Sequence, residues 1–186
     1  LISESDRIRS QLIALHIRNG ENKAFGDLVS LWERPLFYYI RKLSKCEEDA
    51  WDVMQETWIR IYRGIGKLNE LSSLPAWLYR IARNAALNYN RDNRMMDDLV
   101  EDGLDIEAIG PGGDYDLSAT DAEAIHWGLK QLPVKQREVL VLLFLEEFSI
   151  DEIASITGVS SGTVKSRLHY AKKALHGFII KELGNE

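Results

Sequence analysis

Apolar residues in this chain recur at i, i+3 and i+4 almost from end to end, and no segment sustains the alternation of a half-buried strand. That spacing predicts an all-α fold, with helices over 5–19, 22–44, 48–65, 75–92, 120–131, 134–147, 150–157 and 161–182. Gly20, Gly64, Gly66 and Gly158 punctuate the pattern. Pro75 and Pro133 stand near helix starts, where a missing N–H is harmless.

Charge divides the chain. Its 23 Lys and Arg against 29 Asp and Glu give a net of −6, which by itself argues against a nucleic-acid binder. The acidity is local, however. Residues 93–124 carry 10 acidic and 1 basic side chain, whereas 1–92 are net +2 and 125–186 net +1. The acidic stretch has a Gly-Pro-Gly-Gly break at 110–113 and few large apolar residues. It buries too little to offset its ordering entropy and reads as a linker. The expectation is two small helical domains, an N-terminal bundle over 1–94 and a C-terminal helix-turn-helix domain over 120–186, joined by an acidic flexible linker over 95–119.

Several classes are disfavoured. Cys46 is the one cysteine, so neither an intrachain disulfide nor a Cys-based zinc site is expected. No apolar run approaches the ~18 residues of a membrane span, and no basic and apolar leader opens the sequence. A cytoplasmic protein without membrane insertion follows as the expectation. The Gly-Ile-Gly-Lys at 64–67 lacks the frame of a phosphate loop, and no nucleophile–base grouping has local support, so neither enzyme activity nor a cofactor is expected. His169 and His176 share a helix face, but no carboxylate or thiol joins them at ligand spacing, so no metal is expected.

Three helices carry the candidates. In DAWDVMQETWIRIYR (49–63), Ala50, Met54, Trp58, Ile61 and Ile65 share one face, while Asp52, Gln55, Glu56, Ile59 and Arg63 point away. The outer face is either solvated surface or a dock for a basic partner, and spacing does not choose. In AWLYRIARNAALNY (76–89), Leu78, Ile81, Ala82, Ala85 and Tyr89 form the core stripe. Arg80, Arg83, Asn84, Leu87, Arg91 and Arg94 lie opposite, with Trp77 and Tyr79 beside them. Arginines for phosphates, rings for stacking and an amide for base edges make up a single-strand nucleic-acid surface. The plain alternative is a core Trp77 and solvated arginines. The polar loop before it, Lys67–Leu74, presents a candidate pocket.

The third block, 132–175, is the most specific. A helix at 150–157 packs through Ile153, Ala154 and Ile156, Gly158 makes the turn, and Ser160 or Ser161 caps the next helix. There Val164, Leu168, Ala171 and Leu175 face inward, and Gly162, Ser166, His169 and Lys173 face outward, flanked by Lys165, Tyr170 and Lys172. This is a helix-turn-helix with a small, polar, cationic outer face, suited to a major groove.

In their order and spacing these three blocks resemble the extracytoplasmic-function (ECF) group of bacterial RNA polymerase sigma factors, over roughly residues 8–182. The resemblance implies a subunit that binds core polymerase through its β′ clamp and β flap, recognises the −10 and −35 elements of promoter DNA and nucleates melting without hydrolysis. Asp52, Gln55 and Glu56 match the family's D-x-x-Q-E dock on the clamp, which Ile59 and Arg63 extend. Trp77, Tyr79, Arg80, Arg83 and Asn84 match the helix that holds the unwound −10 strand, and the loop with Leu68 matches the base-capturing loop. Many relatives have more aromatic and basic residues in that loop, where this chain has Leu68, Leu74 and Pro75. Lys165, Ser166, His169 and Tyr170 match positions facing the −35 element, next to Gly162 and Thr163; Arg167 and Lys173 would meet phosphates. An anti-sigma factor is a further implied partner.

Two other functions fit part of the sequence. One is a stand-alone helix-turn-helix regulator, but its receiver would alternate strands and helices, which residues 1–92 do not. The other is an interaction module, which would have no need of outward cations at 80–94 and 165–173.

Overall fold

The computed structural model describes residues 3–21, 23–94 and 122–183, with side chains described at 3–21, 23–92 and 125–180. It is all-α among these residues. The N-terminal domain contains α1 (Glu4–Arg18), α2 (Ala24–Leu43), α3 (Glu47–Gly64) and α4 (Leu74–Arg94), with two short 3₁₀ turns between α3 and α4. The C-terminal domain contains α5 (Ala122–Gln131), α6 (Val134–Leu140), α7 (Ile150–Thr157) and α8 (Ser161–Leu183). The linker expected over 95–119 lies outside the described residues.

Local chemistry sets the helix ends. Ser3 and Asp6 form a capping box on α1, and Ser149 and Glu152 form another on α7, so two orphan N–H groups are satisfied at each start. Gly158 ends α7 at φ 71°, a left-handed conformation that costs a side-chain-bearing residue about 1 kcal/mol or more. Gly128 brings α5 close to α8, since a Cβ there would meet Leu175 Cδ1 at 2.6 Å.

The expected helix over 134–147 stops early. Beyond Leu140 the chain widens into a π turn, Val141–Leu145, closed by Glu146 N–H donating to the Val141 carbonyl at 3.1 Å. Glu147 follows at φ 56°, a strained position for a residue with a Cβ. The turn exchanges helical regularity for direction, because it aims Glu146 back at the N-terminal domain.

The core is continuous across both domains. Leu28, Trp32, Leu36 and Ile40 of α2 meet Ala50, Val53 and Ile61 of α3 and Leu78, Ala82 and Ala85 of α4. Val139, Leu142, Ile153, Val164, Leu168 and Leu175 fill the C-terminal half. Helix α4 has a second buried face, which packs on α7.

Candidate nucleic-acid interface

The outer face of α3 stands as expected. Asp52, Gln55, Glu56, Ile59 and Arg63 are all exposed, over an inward stripe of Ala50, Val53, Met54 and Ile61, with Trp58 half-buried. Glu56 pairs with Arg60 at 2.7 Å, one helical turn on, and Asp52 accepts from the Tyr89 hydroxyl at 3.1 Å. These links orient the carboxylates without burying them.

The recognition-helix face of α8 also stands open. Ser160 caps the helix, its Oγ accepting from Thr163 N–H at 3.1 Å. Gly162, Lys165, Ser166 and Lys173 are exposed; Thr163, Arg167, His169 and Tyr170 are half-buried. The His169 ring meets Tyr170 edge-on at 5.4 Å, and its Nε2 is covered with no hydrogen-bond partner among the described residues.

Helix α4 departs from expectation. Arg80, Asn84, Leu87 and Arg91 are exposed, and Trp77 and Leu68 are half-buried. Tyr79, expected beside the nucleic-acid face, is instead 1% exposed. Its ring packs against Trp32, Tyr39 and Phe148, and its hydroxyl donates to the Glu146 carboxylate. Arg83, expected outward, keeps only 15% of its side chain exposed and pairs through Nε with Glu138 at 2.7 Å. Two elements cover that side of α4: Trp32 and Tyr39 of α2 in the same domain, and Glu138, Glu146 and Phe148 of the second domain. The side chain of Arg94 lies outside the described residues.

Two buried carboxylates therefore staple the domains. Glu138, 3% exposed, accepts from Arg83 and from the Tyr39 hydroxyl at 2.9 Å. Glu146 takes the Tyr79 hydroxyl, and burial pushes its carboxyl up to about 7, with the Tyr79 bond and the Arg7 charge opposing the rise. Arg7 lies over the Phe148 ring at 5.0 Å and donates to the Glu146 carbonyl at 3.1 Å. Burial raises both tyrosines, Tyr39 and Tyr79, well above the usual phenol value, so both hydroxyls stay donors. Arg137 adds a third tie, reaching the Lys42 carbonyl at 2.9 Å and the Lys130 and Leu132 carbonyls at 3.1 and 2.9 Å. Those oxygens lie at or near the ends of α2 and α5, where the helix itself supplies no partner.

Sequence reasoning missed this seam. A signal existed: Glu138 and Glu146 interrupt the apolar run REVLVLLFLEEF, where a carboxylate is costly unless paired. Nothing in the spacing identified partners 55 and 67 residues away.

Comparison with known proteins bears on this two-domain layout. The family model for Sigma-70 region 2 matches residues 28–95, and that for Sigma-70 region 4 matches 123–175. The ECF sigma factor SigM of Mycobacterium tuberculosis is 31% identical over 170 residues, covering 91% of this chain and 84% of its own. The chain belongs to the ECF group of RNA polymerase sigma factors. SigW of Bacillus subtilis is 29% identical, with 86% of this chain and 90% of that one covered. Among solved structures, the sigma factor RpoE of Bartonella quintana, in complex with the anti-sigma factor NepR, matches at 27% identity and a TM-score of 0.66, covering 84% of this chain and 97% of that one. Sigma factors direct transcription initiation and as a class are not enzymes. No helix among the described residues is long and apolar enough to cross a membrane.

Proposed function

We propose that this sigma factor works in two conformations. In the closed one, described above, the α3 ridge of Asp52, Gln55, Glu56, Ile59 and Arg63 is free to dock on the polymerase clamp, while α4 is half occupied by the chain's own C-terminal domain. In the open one the seam parts, Tyr79 and Arg83 join Leu68, Trp77, Arg80 and Asn84 on the unwound −10 strand, and Gly162 to Lys173 of α8 reads the −35 element. Residues 1–94 and 120–186 are the moving units. The observation that carries this reading is the burial of Tyr79 and Arg83 under Glu146 and Glu138, against the full exposure of the α3 ridge.

Melting then needs no hydrolysis and no catalytic residue. Unstacking costs on the order of 1–2 kcal/mol per base-pair step. Each captured base returns roughly 1–3 kcal/mol when stacked on a ring. Binding that prefers the single-stranded state shifts the equilibrium toward melting, and the polymerase supplies the rest. A shallow apolar cleft of about 170 Å³ between α5, α6 and α8, with Phe144 at its edge, suits an apolar segment of the polymerase flap. An anti-sigma factor, of the kind bound to the Bartonella protein, would hold the chain inactive in the cytoplasm.

Run-off transcription with core polymerase on a promoter library tests the function. Promoter-specific transcripts that depend on the chain are the expected result. Tight operator binding by the free chain without any initiation would instead indicate a stand-alone helix-turn-helix regulator.

A further inference from the structure

Where the C-terminal end of α2 meets α5 and α6, the domains leave a cleft of about 580 Å³. Five cations line it: Arg41, Lys42 and Lys45 from the N-terminal domain, Lys130 and Arg137 from the C-terminal domain. None of the described residues lining it is acidic, and Ser44 and Asn90 add neutral donors. The cations feel one another. Burial, then the charges of Lys130, Arg137 and Arg41, push the Lys42 ammonium below its ordinary range. Lys42 Nζ also lies 3.5 Å from His126 Nδ1, and burial with the charges of Lys42 and Lys130 pulls that imidazole down. Arg137 commits its terminal nitrogens to carbonyls, while its Nε is buried with no partner among the described residues. On the outer side the exposed carboxylate of Glu48 feels Arg41, and Lys42 leans over the Tyr38 ring at 4.6 Å.

Nothing in promoter or polymerase binding, as assigned above, uses this cleft. Clustered like charges in a part-buried site are unfavourable, and a bound anion reverses the sign of that interaction. The volume falls in the range of small-molecule sites, about 300–1,000 Å³. A single phosphate would leave most of the positive charge uncompensated, and a duplex is too broad to enter.

We propose that this cleft binds a small polyphosphorylated anion, an inorganic or nucleoside di- or triphosphate, which bridges the two domains and holds the chain closed. Arg41, Lys42, Lys45 and Lys130 contact the phosphate chain, and Arg137 adds charge from behind.

Calorimetric titration of the full chain at constant ionic strength tests the site, with inorganic triphosphate, ATP and orthophosphate as probes. The expected result is saturable one-to-one binding of triphosphate, at least tenfold tighter than orthophosphate. Lys45→Ala with Lys130→Ala, both exposed positions, should weaken it at least tenfold, and Lys42→Ala alone should weaken it severalfold. Arg18→Ala with Lys23→Ala, exposed positions beside the start of α2 and so at the opposite end of that helix from the cleft, should leave it unchanged. Triphosphate should also raise the thermal midpoint of the wild type by more than that of the Lys45/Lys130 variant. ATP binding more tightly than triphosphate would identify a nucleotide ligand; equal affinity would identify the phosphate chain as the recognised group. Absence of saturable binding, or equal weakening by the remote pair, would overturn the proposal. So would a short DNA duplex that binds more tightly than triphosphate and depends on the same lysines, since the cleft rim would then be a DNA surface.

Discussion

Helices α3 and α4 lie side by side in one domain and each carries an outward polar face, yet those faces have opposite fates. The α3 face is bare from Asp52 to Arg63. The α4 face is divided: Arg80 and Asn84 are bare, while Arg83 pairs with Glu138 and Tyr79 is enclosed between Trp32 and Tyr39 of its own domain and Glu146 and Phe148 from beyond the linker. One surface is ready before any partner arrives and the other requires rearrangement. In the two-conformation scheme proposed above, that difference orders events, with polymerase engaged first and DNA second. The same scheme predicts weak promoter binding by the free chain, to which the net −9 of residues 93–124 also contributes.

The largest expected effect lies on the ready surface. Glu56→Lys reverses a charge at the centre of the ridge and breaks the pair with Arg60. It should abolish co-purification with core polymerase and run-off transcription, with loss of affinity of more than about a hundredfold. Because Glu56 is exposed, the thermal midpoint should hardly move. Retained transcription would remove the ridge from the polymerase interface.

The next effect lies on the occupied surface. Glu138→Gln takes the anion from a buried pair and leaves Arg83 uncompensated, a change worth about 3–5 kcal/mol at such sites. It should open the seam, seen as a larger radius of gyration in small-angle X-ray scattering and as stronger binding of single-stranded −10 DNA by the free chain. An unchanged radius with lost stability would make Glu138 a fold residue alone.

The contrast between the two helices also marks what was legible in the sequence. Periodicity identified eight helices, and Gly158 with its neighbouring serines identified the turn and cap of the helix-turn-helix, because each is local. The α3 face was legible for the same reason: one helix decides it. On α4 the same method assigned Leu78, Ala82 and Ala85 to the core correctly, then failed at Tyr79 and Arg83, since their partners are remote in sequence: Trp32 and Tyr39 of α2, Glu138 of α6, and Glu146 and Phe148 in the turn before α7. A helical wheel counts one buried face, and α4 has two. The early end of α6 was missed because VLLFL is apolar enough to continue a helix, and nothing in its composition signals a wider turn.

A smaller, graded effect comes from pH. The Glu146 carboxyl is raised by burial to about 7 in the closed chain, against its ordinary 4.5 once the domains part. Between those values the closed form holds a proton that the open form releases. Closure is therefore strongest below pH 4.5 and weakens as pH rises to 7, by up to about 1.4 kcal/mol per unit. Tyr79, Arg7 and Tyr38 face this carboxylate, and the two tyrosines stay neutral over the range. Scattering from pH 5 to 8 should show the chain expanding with pH. Glu146→Gln, always neutral and still able to accept from Tyr79, should flatten the curve; an identical slope in that variant would assign the transition to another group.

The smallest expected effect returns to a ready surface, and it tests whether readiness means readout. On α8, Ser166 and Lys165 are bare, but His169 is half-covered, its Nε2 enclosed and its ring against Tyr170. What remains for DNA is the other part of the ring. His169→Ala should therefore shift −35 preference at one base position, by about 1 kcal/mol, the low end of what one base contact contributes. Lys173→Ala, at a position expected to meet only phosphate, should weaken all promoters alike and lower the salt dependence of binding. Run-off transcription on a library randomised at the −35 element separates the two. A uniform loss for His169→Ala would move it from base readout to positioning Tyr170, and the recognition face would then reduce to the residues from Gly162 to Ser166.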